Sequence, residues 1–174
     1  ISNVKYPISN FQSTLVDVKP QRLTEVKVQN AYRQLTGFAE MDTVLGGGIV
    51  HGSVSLLAGD PGVGKSTLLL EICYNIAKND TVLYVSGEES VDQIKLRADR
   101  LFTVTKNANK TRTTNMSNIM LLSLNDVDAI VTQIADSAQK PALVIIDSIQ
   151  TMQSANVAGL SGAVSQVRYA TSRL

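Results

Sequence analysis

The sequence has very few of the residues that build covalent or metal-based scaffolds. It contains one cysteine, Cys73, and one histidine, His51. A single cysteine excludes a disulfide within the chain and a zinc site made of cysteines. We interpret Cys73 as a small buried hydrophobe on a helix. His51 follows a run of glycines and has no evident carboxylate or nucleophile as a partner, so we interpret it as a turn residue.

The sequence also lacks a strong charge bias and long apolar runs. It has 16 basic and 15 acidic residues, for a net charge of +1, so bulk charge argues neither for nor against a nucleic-acid partner. No apolar run approaches membrane-spanning length, and no signal-peptide pattern opens the chain. These absences predict a cytoplasmic protein with no membrane partner.

The strongest motif is a glycine-rich loop that matches the phosphate-binding pattern G-x-x-x-x-G-K-[ST] at every fixed position. Its residues are Gly59, Asp60, Pro61, Gly62, Val63, Gly64, Lys65 and Ser66. The apolar residues 54–58 before it predict a strand, and an apolar stripe over residues 67–78 predicts a helix that begins at Thr67. Strand, glycine loop and helix together form the arrangement that a phosphate cradle requires.

Each part of this motif has a chemical use. The glycines let the backbone turn tightly and present N–H groups to an anion, and the start of the helix adds free amides and a positive dipole end. Lys65 supplies a point charge for the β- and γ-phosphates, and the Ser66 hydroxyl is placed for Mg²⁺. We therefore predict a nucleotide-binding set of residues 59–67.

Two further apolar strands end in acidic residues. Residues 81–87 are followed by Glu88 and Glu89, and residues 142–147 end in Asp147. Ligands of open α/β sheets lie at this carboxyl edge, so Glu88 is predicted to orient and deprotonate an attacking water, with Glu89 as helper or cap. Alternatively, both glutamates lie in the first turn of the next helix, where its dipole favours them. Asp147 is predicted to bind Mg²⁺ together with Ser66.

The remaining pattern predicts an α/β fold. Apolar strands alternate with amphipathic helices, which favours a mainly parallel sheet flanked by helices. Residues 151–162 are small and polar, with two glycines and no Lys or Arg, and they predict a mobile loop. If that loop contacts nucleic acid, it must use backbone amides and Ser, Gln or Asn side chains.

Several segments together resemble the bacterial RadA (Sms) DNA-repair ATPases, a RecA-like P-loop family. They are residues 59–66, 84–90, 93–98, 147–151 and 164–168. The resemblance runs from about Lys19 to Leu174. It implies an N-terminal arm or linker over residues 1–36 and a RecA-type P-loop NTPase core over residues 37–174.

The resemblance also implies a function. It indicates a Mg²⁺-dependent, DNA-stimulated ATPase that assembles as a hexameric ring on single-stranded or branched DNA. Such a protein would act in DNA repair and recombination after DNA damage, driving branch migration alongside the RecA recombinase. By this resemblance Glu88 matches the water-activating glutamate, Lys65 and Glu89 belong to the catalytic set, and Asp147 matches the Mg²⁺-associated aspartate. The loop of residues 151–162 falls where RecA-like proteins place a DNA-contacting loop.

The sequence departs from the family's pattern in ways that set further expectations. Family members usually begin with a four-cysteine zinc module and continue into a Lon-protease-like domain; this sequence contains neither, so we expect a fragment and no zinc in this chain. A family strand between the P-loop strand and the Asp147 strand would come after Leu174. We therefore expect a core incomplete at its C-terminus, with unpaired backbone and exposed apolar side chains, and marginal or inactive alone.

Two other hypotheses stay open. One is a signalling or clock-type ATPase resembling the KaiC group, which also carries paired glutamates after the second strand. The other is a truncated, non-catalytic fragment that binds nucleotide weakly or binds only a partner.

Overall fold

The computed structural model describes residues 22–25, 33–103 and 116–174. The chain divides into two units, Ile1–Ala31 and Tyr32–Leu174. In the first unit, the described residues form a short 3-10 turn at Leu23–Glu25. The predicted arm of residues 1–36 lies mostly outside the described residues, and its boundary stays a prediction.

The larger unit alternates helices with strands. Its helices are α1 (Ala39–Val44), α2 (Lys65–Ile76), α3 (Val91–Thr103), α4 (Val127–Asp136) and α5 (Val164–Arg173). Its strands are β1 (Arg33–Gln34), β2 (Ile49–Val50), β3 (Val82–Ser86), β4 (Ile119–Ser123) and β5 (Leu143–Asp147). Within the described residues, none of the helices is long and apolar enough to cross a lipid bilayer.

A parallel sheet of three strands forms the centre of this unit. Its order is β4-β3-β5, so β3 pairs with a neighbour on each side. Tyr84 of β3 lies opposite Ile145 of β5, and Ser86 lies opposite Asp147. β1 and β2 pair separately as a short antiparallel ribbon. The prediction of an α/β fold with a parallel sheet flanked by helices is confirmed.

Helices cover both faces of the sheet. The buried side chains of β3 point alternately to the two faces and pack into two apolar clusters. Val82 and Tyr84 pack with α2 and α3 on one face, whereas Leu83 and Val85 pack with α4 and α5 on the other. Cys73 of α2 is fully buried in the first cluster, and burial raises the pKa of its thiol to about 12. The interpretation of Cys73 as a buried hydrophobe is therefore confirmed.

The direction of α2 follows from the contact at its C-terminal end. The backbone carbonyl of Ala77, just past the helix, accepts a hydrogen bond of 2.8 Å from the Asn118 side chain. Asn118 immediately precedes β4, so the C-terminal end of α2 lies at the amino edge of the parallel sheet. The helix packs along β3 and β5 and is about 18 Å long at 1.5 Å per residue. Its N-terminus, with the glycine loop, therefore lies at the carboxyl edge.

The prediction of a strand over residues 54–58 is wrong. In the structure these residues belong to no strand, and the side chains of Val54 and Leu56 are each 80% exposed. An apolar segment becomes a strand only when a neighbouring strand pairs with its N–H and C=O groups. Among the described residues, no strand pairs with this segment. The expectation of a core that is incomplete at its C-terminus stays a prediction.

Candidate functional site

The glycine loop makes a tight turn in front of α2. Gly62 and Gly64 have φ angles of 80° and 96°, a left-handed conformation in which a side chain would be strained. An added Cβ would meet no atom within 4 Å at either position. Backbone conformation, rather than lack of space, therefore requires glycine there. Residues 59–64 are exposed to solvent, as access by a ligand requires.

The first turn of α2 is built to face an anion. Gly64 precedes the helix and has no side chain with which to cap it, and the first turn contains no acidic residue. The N–H groups at the start of any helix lack an intrahelical acceptor, and they carry the positive end of the dipole. Ser66 and Thr67 lie half-buried in this turn. The turn therefore offers amides and a hydroxyl to a phosphate at the carboxyl edge of the sheet.

Lys65 holds the loop together. Its Nζ donates a hydrogen bond of 2.8 Å to each of two loop carbonyls, those of Gly59 and Asp60. A lysine ammonium has three donors, so one N–H remains after these two bonds. The charge of Lys65 is thereby fixed inside the turn, close to the amides that would surround a phosphate.

Asp147 lies at the carboxyl end of β5, on the face of the sheet that α2 covers. Leu143 and Ile145 of the same strand pack in the cluster formed with α2 and α3, and side chains alternate along a strand. The Asp147 side chain is therefore on the α2 face. Its Oδ2 accepts a hydrogen bond of 2.5 Å from the hydroxyl of Tyr84. Burial, together with this bond, raises the pKa of Tyr84 above its usual value.

The structure thus brings Ser66 and Asp147 to the same edge and the same face of the sheet. Mg²⁺ prefers oxygen ligands, and proteins usually hold it through one or two side chains together with substrate phosphates and water. A hydroxyl and a carboxylate fit that donor set. Among the described residues, no cluster of three or more His, Cys, Asp and Glu side chains forms a metal site by itself.

Glu88 and Glu89 follow β3 at this edge but have different surroundings. The Glu88 side chain is exposed, and its Oε1 accepts a hydrogen bond of 3.1 Å from the hydroxyl of Ser148, next to Asp147. Glu89 is half-buried and forms a two-point ion pair with Arg97 of α3, at 2.6 Å and 3.2 Å. The backbone N–H groups of Glu88 and Glu89 both donate to the Ser86 hydroxyl. Glu88 is therefore accessible to a ligand, whereas Glu89 is already paired.

The turn after β3 touches the turn after β5. At Gly87, an added Cβ would lie 2.2 Å from Thr151 Oγ1 and 2.9 Å from Met152 Cε. Real Cβ atoms do not approach other atoms so closely, so only glycine fits without displacing these side chains. Thr151 belongs to the 3-10 turn Ile149–Thr151, which directly follows the Asp147 strand.

Residues 151–162 were predicted to form a mobile loop, but the structure fastens them to α5. Gln166 is 2% exposed. Its Oε1 accepts from the Ser154 N–H at 2.8 Å, and its Nε2 donates to the carbonyls of Ser154, Val157 and Gly159. One buried amide thus satisfies several backbone groups of the loop. Gln166 lies in a segment that carries the family resemblance, but composition alone did not indicate this role.

Asp128 of α4 is a second anchor for this loop. Its carboxylate accepts hydrogen bonds from the Ser154 hydroxyl and the Asn156 side chain in the loop, and from Tyr169 and Arg173 of α5. These hydrogen bonds, that of Ser154 first, lower the pKa of Asp128 below its usual value. The charged form of Asp128 therefore ties α4, the loop and α5 together.

We expect Asp128→Asn to lower the free energy of unfolding at neutral pH, because the neutral amide accepts weaker hydrogen bonds. A carboxyl whose pKa is lowered by folding stabilises the protein above its unfolded-state pKa, and this contribution is lost as the pH falls through the folded-state pKa. The difference between the wild type and Asp128→Asn should therefore shrink below the usual aspartate range. Denaturant unfolding across pH measures it, and a difference independent of pH would contradict the expectation. Asp136→Asn, at the end of α4, serves as the control.

The comparisons with known proteins indicate one family. A family model described as "AAA domain" matches residues 19–172. The chain is 51% identical over 140 residues to "DNA repair protein RadA" of Mycobacterium tuberculosis (strain ATCC 25618 / H37Rv), covering 80% of this chain and 27% of the relative. It is 45% identical over 156 residues to "DNA repair protein RadA" of Streptococcus pneumoniae (strain ATCC BAA-255 / R6), covering 90% of this chain and 34% of the relative.

A third relative extends the same similarity to another species. "DNA repair protein RadA" of Streptococcus pyogenes serotype M1 is 45% identical over 156 residues, which cover 90% of this chain and 32% of the relative. The chain thus spans about a third or less of the length of the curated relatives that it matches. The match to the family covers most of the chain and includes the glycine loop, both glutamates and Asp147. The chain belongs to the AAA-domain family of RecA-like P-loop proteins.

Proposed function

We propose that this chain is the ATP-hydrolysing core of a DNA-repair protein. One observation carries the proposal: the glycine loop at the start of α2 lies at the same carboxyl edge of one parallel sheet as Asp147 and Glu88. That edge is where α/β sheets bind ligands. The printed name of the relatives, DNA repair protein RadA, supports the biological setting.

Hydrolysis in this site would depend mainly on positioning and charge. The loop amides and Lys65 bind the β- and γ-phosphates, and Ser66 and Asp147 would hold Mg²⁺, which neutralises charge on the phosphates. Glu88 orients a water molecule and accepts its proton as the water oxygen bonds to the γ-phosphorus. The bond from the γ-phosphorus to the bridging oxygen breaks, and ADP and inorganic phosphate leave.

Glu88 is the better of the two glutamates for this role. It is exposed and lies beside Ser148, whereas the carboxylate of Glu89 is paired with Arg97. Both carboxylate oxygens of Glu89 contact Arg97, so they are less available to a water molecule than those of Glu88. We assign Glu89 to positioning the turn after β3 through Arg97.

The partners follow from the same proposal. The protein acts on single-stranded or branched DNA, and residues 151–162 contact it through backbone amides and Ser, Gln or Asn side chains. It works as a hexameric ring and assists the RecA recombinase in branch migration, and its ATPase is stimulated by DNA. The sequence resemblance supports each of these points, and the predicted cytoplasmic location stays a prediction.

The test is the steady-state ATPase rate of the full-length protein with and without single-stranded DNA. We expect a Mg²⁺-dependent rate that DNA raises severalfold, because the loop of residues 151–162 joins directly to the turn after Asp147. A mock preparation, purified in the same way without the protein, measures contaminating hydrolysis.

Two other results would replace the proposal. An equal rate with and without DNA would favour the signalling-type ATPase. The absence of both hydrolysis and nucleotide binding would favour a non-catalytic interaction fragment.

A further inference from the structure

The hydroxyl of Tyr84 is a buried polar group that no step of the proposed reaction uses. Tyr84 is fully buried in the middle of β3. A tyrosine at such a position needs a hydrogen-bond partner for its hydroxyl. Its partner is Asp147, the residue proposed to bind Mg²⁺, at 2.5 Å.

The strand register makes this contact possible. Tyr84 lies opposite Ile145, two residues before Asp147 on the adjacent strand. Two residues of a strand advance about 6.6 Å, a distance that the long tyrosine side chain spans along the sheet. Residues opposite one another in a parallel pair point to the same face, so Tyr84 and Asp147 both lie on the α2 face. A shorter hydroxyl side chain at position 84 would not reach the carboxylate.

The bond engages only one of the two carboxylate oxygens. The Tyr84 hydroxyl donates to Oδ2, which leaves Oδ1 for a cation at the nucleotide edge. A buried donor has a fixed position, so its hydrogen bond also fixes the rotation of the carboxylate. Groups that hydrogen-bond to a metal-binding side chain commonly affect the affinity of the site for the metal.

We propose that Tyr84 is a positioning residue that orients the carboxylate of Asp147 toward the Mg²⁺ of the bound nucleotide. This inference rests on the proposed function. The inference extends that function by assigning part of the Mg²⁺ affinity to Tyr84, a side chain on the strand next to that of Asp147.

The test uses Tyr84→Phe in the full-length protein, since this change removes only the hydroxyl. The readout is the binding of a fluorescent ATP analogue as the Mg²⁺ concentration is varied. We expect the Mg²⁺ concentration that gives half-maximal binding of the analogue to rise about tenfold to a hundredfold. The affinity for the analogue without Mg²⁺, measured in the presence of a chelator, should stay unchanged. Tyr74→Phe is the matched control because Tyr74, on α2, stacks against Phe102 instead, and it should behave as the wild type.

A second measurement avoids any loss of stability in the variant. In a protein whose only fluorotyrosine replaces Tyr84, the fluorine NMR signal should shift when Mg²⁺ is added to the complex of protein and nucleotide. Fluorotyrosine at position 74 should not show it.

The possible outcomes separate this inference from the function on which it rests. Equal Mg²⁺ dependence in wild type and Tyr84→Phe would overturn the role of Tyr84, as would an unmoved signal at position 84. A wild type whose nucleotide binding does not depend on Mg²⁺ would overturn the proposed function itself.

Discussion

Lys65→Ala is expected to lower the rate of ATP hydrolysis by about a hundredfold or more, the scale found when a preorganised charge donor is removed. The variant loses the charge that is proposed to bind the phosphates. It also loses the two hydrogen bonds that tie the ammonium to the carbonyls of Gly59 and Asp60. The measurement is phosphate release by the full-length protein at saturating ATP.

Lys78→Ala is the matched control for this experiment. Lys78 follows the opposite end of α2 and donates to the side chain of Asn75, so its removal changes the net charge equally without touching the loop. It should leave the rate within the experimental error of the wild type. Normal hydrolysis by Lys65→Ala would remove this lysine from the mechanism.

The second large effect is expected for Glu88→Gln, which should still bind ATP but hydrolyse it about a hundredfold to ten-thousandfold more slowly. The amide keeps the shape of the side chain and can still accept from Ser148, yet it cannot take a proton from water. Nucleotide affinity and single-turnover hydrolysis, measured on the same preparation, separate binding from chemistry.

Glu89→Gln decides between the two glutamates. Because Glu89 is paired with Arg97, its loss should reduce stability and affect hydrolysis less than the loss of Glu88. If Glu89→Gln abolishes hydrolysis and Glu88→Gln does not, the assignment of the base is wrong.

The parts of the fold predicted well were those determined by local pattern. Continuous apolar runs predicted β3 and β5, and the glycine loop fixed the start of α2 to within two residues of the predicted position. Residues 54–58 have the same kind of apolar pattern, yet they belong to no strand. Whether an apolar segment forms a strand depends on a second strand that pairs with it. The sequence of the segment itself does not show whether such a partner is present.

In the site, too, local patterns predict some features and tertiary structure determines the others. The types and spacing of Lys65, Ser66 and Asp147 predict a phosphate and metal site. The contact between Tyr84 and Asp147 joins residues 63 positions apart, and it could be found only from the register of two strands. The hydrogen bonds between Gln166 and the loop of residues 151–162 likewise follow from the tertiary arrangement and not from the residue type. Patterns predict which residues carry chemistry, whereas the groups that orient them are set by tertiary structure.

The close approach at Gly87 has a consequence for how this protein tolerates change. The start of the loop of residues 151–162 occupies the space where any other amino acid at position 87 would carry its first side-chain carbon. Even alanine there would act as a wedge between two turns, lifting Thr151 away from the end of β3. The fit between the turn after β3 and the first residues of this loop thus depends on the absence of a side chain at position 87.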